Sequence, residues 1–306
     1  MQHIRILVGI LVLVIVLAGT NTAAQENETE PISEEMLEML KKSWLYEING
    51  EEMHACIVRK KTKTLSGCFE KDPHLFLDRH PDRASTLKGE IAAVAVLRME
   101  TTSSELKKAP FVKISMTRDV PHAREINNYF LPKFENLRNT NVAGYFIDLR
   151  KNPGGYISGA AYFLKYFVPV SQTEEQLLFE SRGRVSSNNY SFVATEPGIA
   201  ANSCVAVLVD KNTASSAEII AYVLQLWGAY VVGEPTYKKG IVQTTYPLSG
   251  GAEVTFTTGK IYYADGTTTD QRGVTPDLIT NDAHTQWEQA RAYVQKCYKE
   301  KFAAQQ

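Results

Sequence analysis

Three short segments carry residue types that acyl transfer requires. "NTASSAEII" sets two adjacent serines, Ser215 and Ser216, between the apolar run "VAVLVD" and a helix-like stretch, so that a hydroxyl would stand at the positive end of a helix. Ser215 and Glu218 also have capping-box spacing, which by itself predicts only a satisfied helix start. "DLRKNPGG" supplies Gly154 and Gly155, residues without a Cβ that leave a backbone amide open to close approach, as an oxyanion hole needs. The Ser216 amide in the first helical turn offers a second donor. No histidine falls in these segments, so the base must be of another kind. Lys239 in "GEPTYKKG" is the candidate, because Tyr237, Gly240, Ile241 and Val242 around it form an apolar setting that disfavours a charged ammonium. Read singly, the segments are a helix cap, a tight turn and a basic turn. Their co-occurrence favours the chemical reading.

The segments have to be brought together by the elements between them. From "GEIAAVAVLRMETT" onward the order alternates, with strands at Ala92 to Met99, "VAGYFIDLR", "CVAVLVD" and "AYVVGE". Helices lie between at Ala123 to Leu137, "SGAAYFLKYFV" and "SAEIIAYVLQLW", and this alternation predicts an α/β fold with a mostly parallel sheet and crossover helices. In such sheets functional groups gather at the carboxyl ends of the strands, and all three segments fall there. The strand runs "IVQTTYPL" and "EVTFTTGKIYY", the segment "GVTPDL" and a helix from about Ala283 to Lys301 complete the chain. Before a soft boundary near residue 88, Met36, Leu37, Leu40, Trp44 and Leu45 have helical spacing with Ser33 as the expected N-cap, followed by strand-like "MHACIVRK" and "LSGCFEK". The expected organisation is a leader over 1–24, a small N-terminal α+β cap over 25–88 and a core over 89–306.

Composition bounds the rest. A chain of 306 residues, 44% hydrophobic and 22% charged with net charge −1, is globular, and no basic excess points to nucleic acid. The start "MQHIR", the apolar run Ile6 to Gly19 and small residues up to Ala24 have the order of a signal peptide, which places the folded part outside the cytoplasm, secreted or periplasmic. The run is shorter than the ~20 residues of a membrane span, so no stable span is expected after cleavage; an uncleaved N-terminal anchor is the alternative. Four cysteines have no zinc-site spacing. Cys56 and Cys68 are close enough to bridge, while Cys204, inside an apolar strand, reads as a small buried hydrophobe. The carboxylates and imidazoles of "DPHLFLDRHPD" lack a ligand spacing and read as a proline-broken loop, and no metal or organic cofactor is implied.

The blocks "DLRKNPGG", "VLVDKNTASSAEIIAYVLQ", "VVGEPTYKKGIVQT" and "GVTPDL", in that order between Ala92 and Leu278, resemble the carboxyl-terminal processing proteases, the serine-lysine peptidases of family S41. The resemblance implies a crotonase/ClpP-like α/β core and a polypeptide substrate cleaved through an acyl-enzyme. It selects Ser215 over Ser216 as nucleophile and Lys239 over Lys238 as base. It gives Gln243 the task, held by this glutamine in some members, of orienting the lysine, and it makes the Asn-Pro-Gly-Gly turn a contributor to the oxyanion hole. Three departures stand out: Lys238 where the family often has glycine, Leu226 where many members have aspartate, and no recognisable PDZ domain. They keep a rival in view, a non-catalytic peptide- or ligand-binding protein on the same fold. An oligomer is left open.

Overall fold

The computed structural model describes residues 29–46, 74–78, 97–102, 109–170 and 175–303. The leader, Cys56 and Cys68, His80 and the strand-like pieces around the two cysteines lie outside the described residues. Two compact units divide the chain: Met1–Ser85 with Gln243–Thr258, and Thr86–Val242 with Gly259–Gln306.

The larger unit is built on a six-stranded sheet. Strands β2 (Leu97–Thr102), β3 (Phe111–Met116), β4 (Gly144–Asp148), β7 (Val205–Val209), β8 (Tyr230–Gly233) and β11 (Leu278–Ile279) lie side by side in chain order. All neighbours are parallel except the β2–β3 pair at one edge. Crossover helices α2 (Ala123–Leu137), α3 (Ile157–Leu164) and α4 (Ser216–Leu226) connect β3 to β4, β4 towards β7 and β7 to β8. β5 (Gln176–Arg182) and β6 (Tyr190–Ala194) form a hairpin arm, with β5 pairing through Phe179–Arg182 to the last residues of β10 (Glu253–Tyr263). The chain returns as α5 (Ala283–Ala303).

Strand periodicity decides which helix covers which face. Tyr145, Ile147, Val205, Val207, Val209 and Val231 join one cluster with Ile126, Phe130 and Phe134 of α2, Phe163 of α3 and Ile220 of α4. The intervening Phe146, Ala206, Leu208 and Val232 join another with Ala290, Val294 and Tyr298 of α5. Both faces of β4 and β7 are therefore dry, which is why these strands read as continuous apolar runs. A disulfide joins Cys204, at the head of β7, to Cys297 in α5. Cys204 is thus buried, as its setting implied, but it is bonded rather than a free small hydrophobe.

In the smaller unit, Met36 and Leu40 of α1 (Thr29–Ser43) and Trp44 just past its end pack with Leu75, Leu248, Ala252, Val254 and Phe256. β1 (Phe76–Asp78) pairs antiparallel with the first residues of β10, and β9 (Ile241–Pro247) also pairs β10. α1 begins before Ser33, so that serine lies inside the helix instead of capping it.

Candidate active site

The loop after β7 is held from several sides. The Asp210 amide donates to Thr213 Oγ1 at 3.0 Å, and that hydroxyl donates to the Leu149 carbonyl at 2.9 Å. Asp210 Oδ1 accepts the amides of Lys151 and Asn212, each at 3.0 Å. Held in this way, the chain enters α4 through Ser215 with φ 54° and ψ −123°. A side chain other than glycine at positive φ costs about 1–3 kcal/mol and persists only where its surroundings impose it. The strain lets the helix start directly beneath a half-buried hydroxyl.

The loop after β4 is fastened to the same place by Asn152, which is fully buried. Its Nδ2 donates to the Met116 carbonyl at 2.8 Å, its Oδ1 accepts the Gly154 amide at 2.9 Å, and its carbonyl accepts the Ala214 amide at 2.9 Å. One residue, through its side chain and its carbonyl, therefore ties the ends of β3 and β4 to the residue before Ser215. Gly154 has φ +109°, and a Cβ there would lie 2.6 Å from Ser215 Cβ and 3.2 Å from its Oγ. Only glycine lets this backbone meet the serine so closely. Because the Gly154 amide is engaged by Asn152, the open donors are others. Among the described residues neither the exposed Gly155 amide nor the Ser216 amide has a hydrogen-bond partner. At Ser216 this is expected of a first-turn donor.

The third loop reaches the site through Glu218. The Tyr237 amide donates to the Thr213 carbonyl at 2.9 Å. Glu218, fully buried, takes four donors: Oε2 accepts the amides of Ser215 and Lys239, each at 2.8 Å, and Oε1 accepts the Lys238 amide at 2.8 Å and the Thr236 hydroxyl. Sharing one oxygen puts the Ser215 and Lys239 backbone nitrogens at most about 5.6 Å apart. Burial pushes the Glu218 carboxyl above its ordinary value, while the four hydrogen bonds pull the other way. Lys238 is exposed and Lys239 half-buried, so the two adjacent lysines occupy different environments. Lys238 stands at φ 78°, in the left-handed region that favours glycine.

Ser215, Ser216, Gly154, Gly155 and Lys239 are thus brought together at the carboxyl ends of β4, β7 and β8. Gln243 belongs to the smaller unit, in β9, where its Nε2 donates to the His74 carbonyl at 2.9 Å. The Ser216 hydroxyl is buried and has no hydrogen-bond partner among the described residues. Sequence reasoning passed over Asn152, taken only as a turn residue, and Thr236, taken as part of a basic turn. Their hydrogen bonds join segments 36 and 18 residues apart, so no local spacing marks them.

The parallel-rich α/β sheet, the strained serine, the glycine bend and the lysine loop all fall within the stretch that defines the class, for the chain belongs to peptidase family S41, whose model matches residues 94–280. It is 27% identical over 185 residues to the carboxy-terminal processing protease CtpB of Bacillus subtilis, covering 60% of this chain and 37% of that protein. It is 34% identical over 148 residues to the chloroplastic carboxyl-terminal-processing peptidase 2 of Arabidopsis thaliana, covering 47% of this chain and 27% of that one. The chain thus spans about a third of the length of these relatives. Among solved structures, the photosystem II D1 C-terminal processing protease superposes with a TM-score of 0.51 at 22% identity, over 60% of this chain and 48% of that one. At that identity the likeness speaks for the fold alone.

Proposed function

We propose that this chain is a serine endopeptidase that cleaves polypeptides through an acyl-enzyme, with Ser215 as nucleophile and Lys239 as base. Ser215 Oγ attacks the scissile carbonyl carbon as neutral Lys239 Nζ takes its proton. The amides of Gly155 and Ser216 receive the oxyanion. Collapse breaks the C–N bond, and Lys239 returns the proton to the leaving amine. Water, deprotonated by Lys239, then attacks the acyl ester and regenerates Ser215. Losing one oxyanion donor from such a site typically costs ~10²–10³ in rate.

The single observation that carries this reading is the Glu218 carboxylate, which accepts the backbone amides of Ser215 and Lys239 on one oxygen, 2.8 Å from each. A helix cap alone has no use for the second. The family match, with Lys239 half-buried and Lys238 exposed, lends further support.

We assign the protein to an extracytoplasmic compartment, secreted or periplasmic. The signal-like leader and the Cys204–Cys297 disulfide, a bond favoured in oxidising environments, support this. No helix among the described residues is long and apolar enough to cross a membrane.

A fluorophosphonate probe tests the chemistry. Wild type is expected to be labelled and Ser215→Ala not; Lys239→Ala is expected to lose labelling, whereas Lys238→Ala keeps it. A folded wild type that stays unlabelled would favour the non-catalytic binding protein.

A further inference from the structure

The block "GVTPDL" has no task in the reaction above, yet it sits against the base loop. Val274, fully buried, donates its amide to Thr236 Oγ1 at 2.7 Å, and its carbonyl accepts the Thr236 amide at 3.2 Å. An amide can only donate, so the Thr236 hydroxyl accepts from Val274 and must spend its single proton on Glu218. That carboxylate oxygen also holds the Lys238 amide, and its twin holds those of Ser215 and Lys239. A continuous chain of oriented hydrogen bonds therefore runs from Val274 through Thr236 and Glu218 to both the nucleophile and the base segment.

The rest of the block is fixed at its other end. Asp277 accepts the Val231 amide on Oδ2 at 2.7 Å and donates its own amide to the Val231 carbonyl at 2.8 Å, anchoring the block beside β8. Gln225 Nε2, at the end of α4, donates to the Thr275 carbonyl at 3.0 Å. The turn before the block clasps the loop too, since the Gln271 amide donates to the Lys238 carbonyl at 3.0 Å. Contact at the near end is so close that a Cβ on Gly273, which has φ +71°, would lie 2.9 Å from Thr236 Oγ1 and 3.0 Å from Lys238 Cγ.

We infer that Thr236 is a positioning residue and that Gly273–Asp277 is a brace acting through its hydroxyl to set the register of Lys239 against Ser215. The inference rests on the peptidase reading above. Thr236, 3% exposed, is shut off from substrate and acts only through Glu218 and the loop backbone. Removing the hydroxyl leaves Glu218 one donor short and the Val274 amide without its acceptor, which frees the loop to shift. A displacement of about 1 Å at a reacting group costs on the order of 10²-fold in rate.

The test is the rate of labelling by a fluorophosphonate, resolved into its maximal rate constant and its half-saturating concentration, with melting temperature measured alongside. Thr236→Val is expected to lower the maximal rate roughly 10²-fold while half-saturation moves less than about threefold, since positioning affects the reaction more than binding. Thr236→Ser restores the hydroxyl and is expected to recover most of the rate. A Thr236→Val protein that labels like wild type, or a loss that Thr236→Ser does not recover, overturns the inference. If Thr236→Val does not fold, Gly273→Ala presses on the same hydroxyl from the other side and is expected to give the same fall in maximal rate; labelling at the wild-type rate would again overturn it. An unlabelled wild type brings down the peptidase reading and the brace together. Labelling that depends on Ser215 but is indifferent to Thr236 brings down the brace alone.

Discussion

Opening the Cys204–Cys297 bridge offers a quantitative test of how α5 is held on the sheet. The bridge closes a loop with a sequence separation of 93. Chain-entropy reasoning for a loop of that size gives about 4.6 kcal/mol as a ceiling, of which about 2–4 kcal/mol is commonly realised. What remains after reduction is the apolar contact of Ala290, Val294 and Tyr298 with the sheet, together with the Phe146–Trp287 ring pair at 4.8 Å. For a unit of this size each kcal/mol moves the midpoint by about 2–4 °C, so the melting temperature is expected to fall by roughly 5–15 °C. The assay is thermal unfolding by circular dichroism of wild type with and without reductant, and of Cys204→Ala and Cys297→Ala. Because α5 and α4 lie on opposite faces of the sheet, labelling of Ser215 at 25 °C is expected to survive. Melts that coincide within about 1 °C, or free thiols at both positions in the unreduced protein, would refute the reasoning.

Two further perturbations probe the base loop. Glu218 makes stability depend on pH. Burial raises its carboxyl above the ordinary value, so the folded protein holds that proton more tightly than the unfolded chain does. The stability contribution of this group is full below the unfolded value and is lost as pH rises through the folded one. Urea unfolding in which wild type gains no stability relative to Glu218→Gln as pH falls from neutral into the acid range would contradict this. Lys238→Gly should relieve the positive φ of 78°, a saving of about 1–2 kcal/mol partly offset by about 0.5–1 kcal/mol from the freer unfolded chain. A net gain of about 0.5–1 kcal/mol in urea unfolding is expected, whereas Lys238→Ala, which keeps the strain, should show none.

Much of the architecture was legible because its signals are local. β4 and β7 are buried on both faces and show as unbroken apolar runs, and the helices between them carry their own periodicity. β3 was missed because only alternate residues are fully buried, so Lys113 and Ser115 dilute the run. The β5–β6 arm was missed for a similar reason, its pattern being interrupted by half-exposed polar residues. The expected strand from Ala92 corresponds to a β2 that begins at Leu97, and residues 92–96 lie outside those described. The grouping of 243–258 with the N-terminal unit left no mark on the sequence, because a long strand such as β10 reads alike wherever its ends pack. In the site, the three loops announced themselves through turn and cap chemistry. Their fastenings did not: Asn152, Thr236 and the Cys204–Cys297 bridge join residues distant in sequence, and only folding brings them together.

The shared carboxylate of Glu218 makes the serine and lysine segments one mechanical part. A load applied to either is transmitted to the other across two hydrogen bonds, without passing through the sheet. A tight-binding inhibitor seated on Tyr237 and Lys238 alone would therefore be sensed at the serine, and an engineer seeking to move the amine relative to the hydroxyl would first have to break this link and leave each segment to its other fastenings.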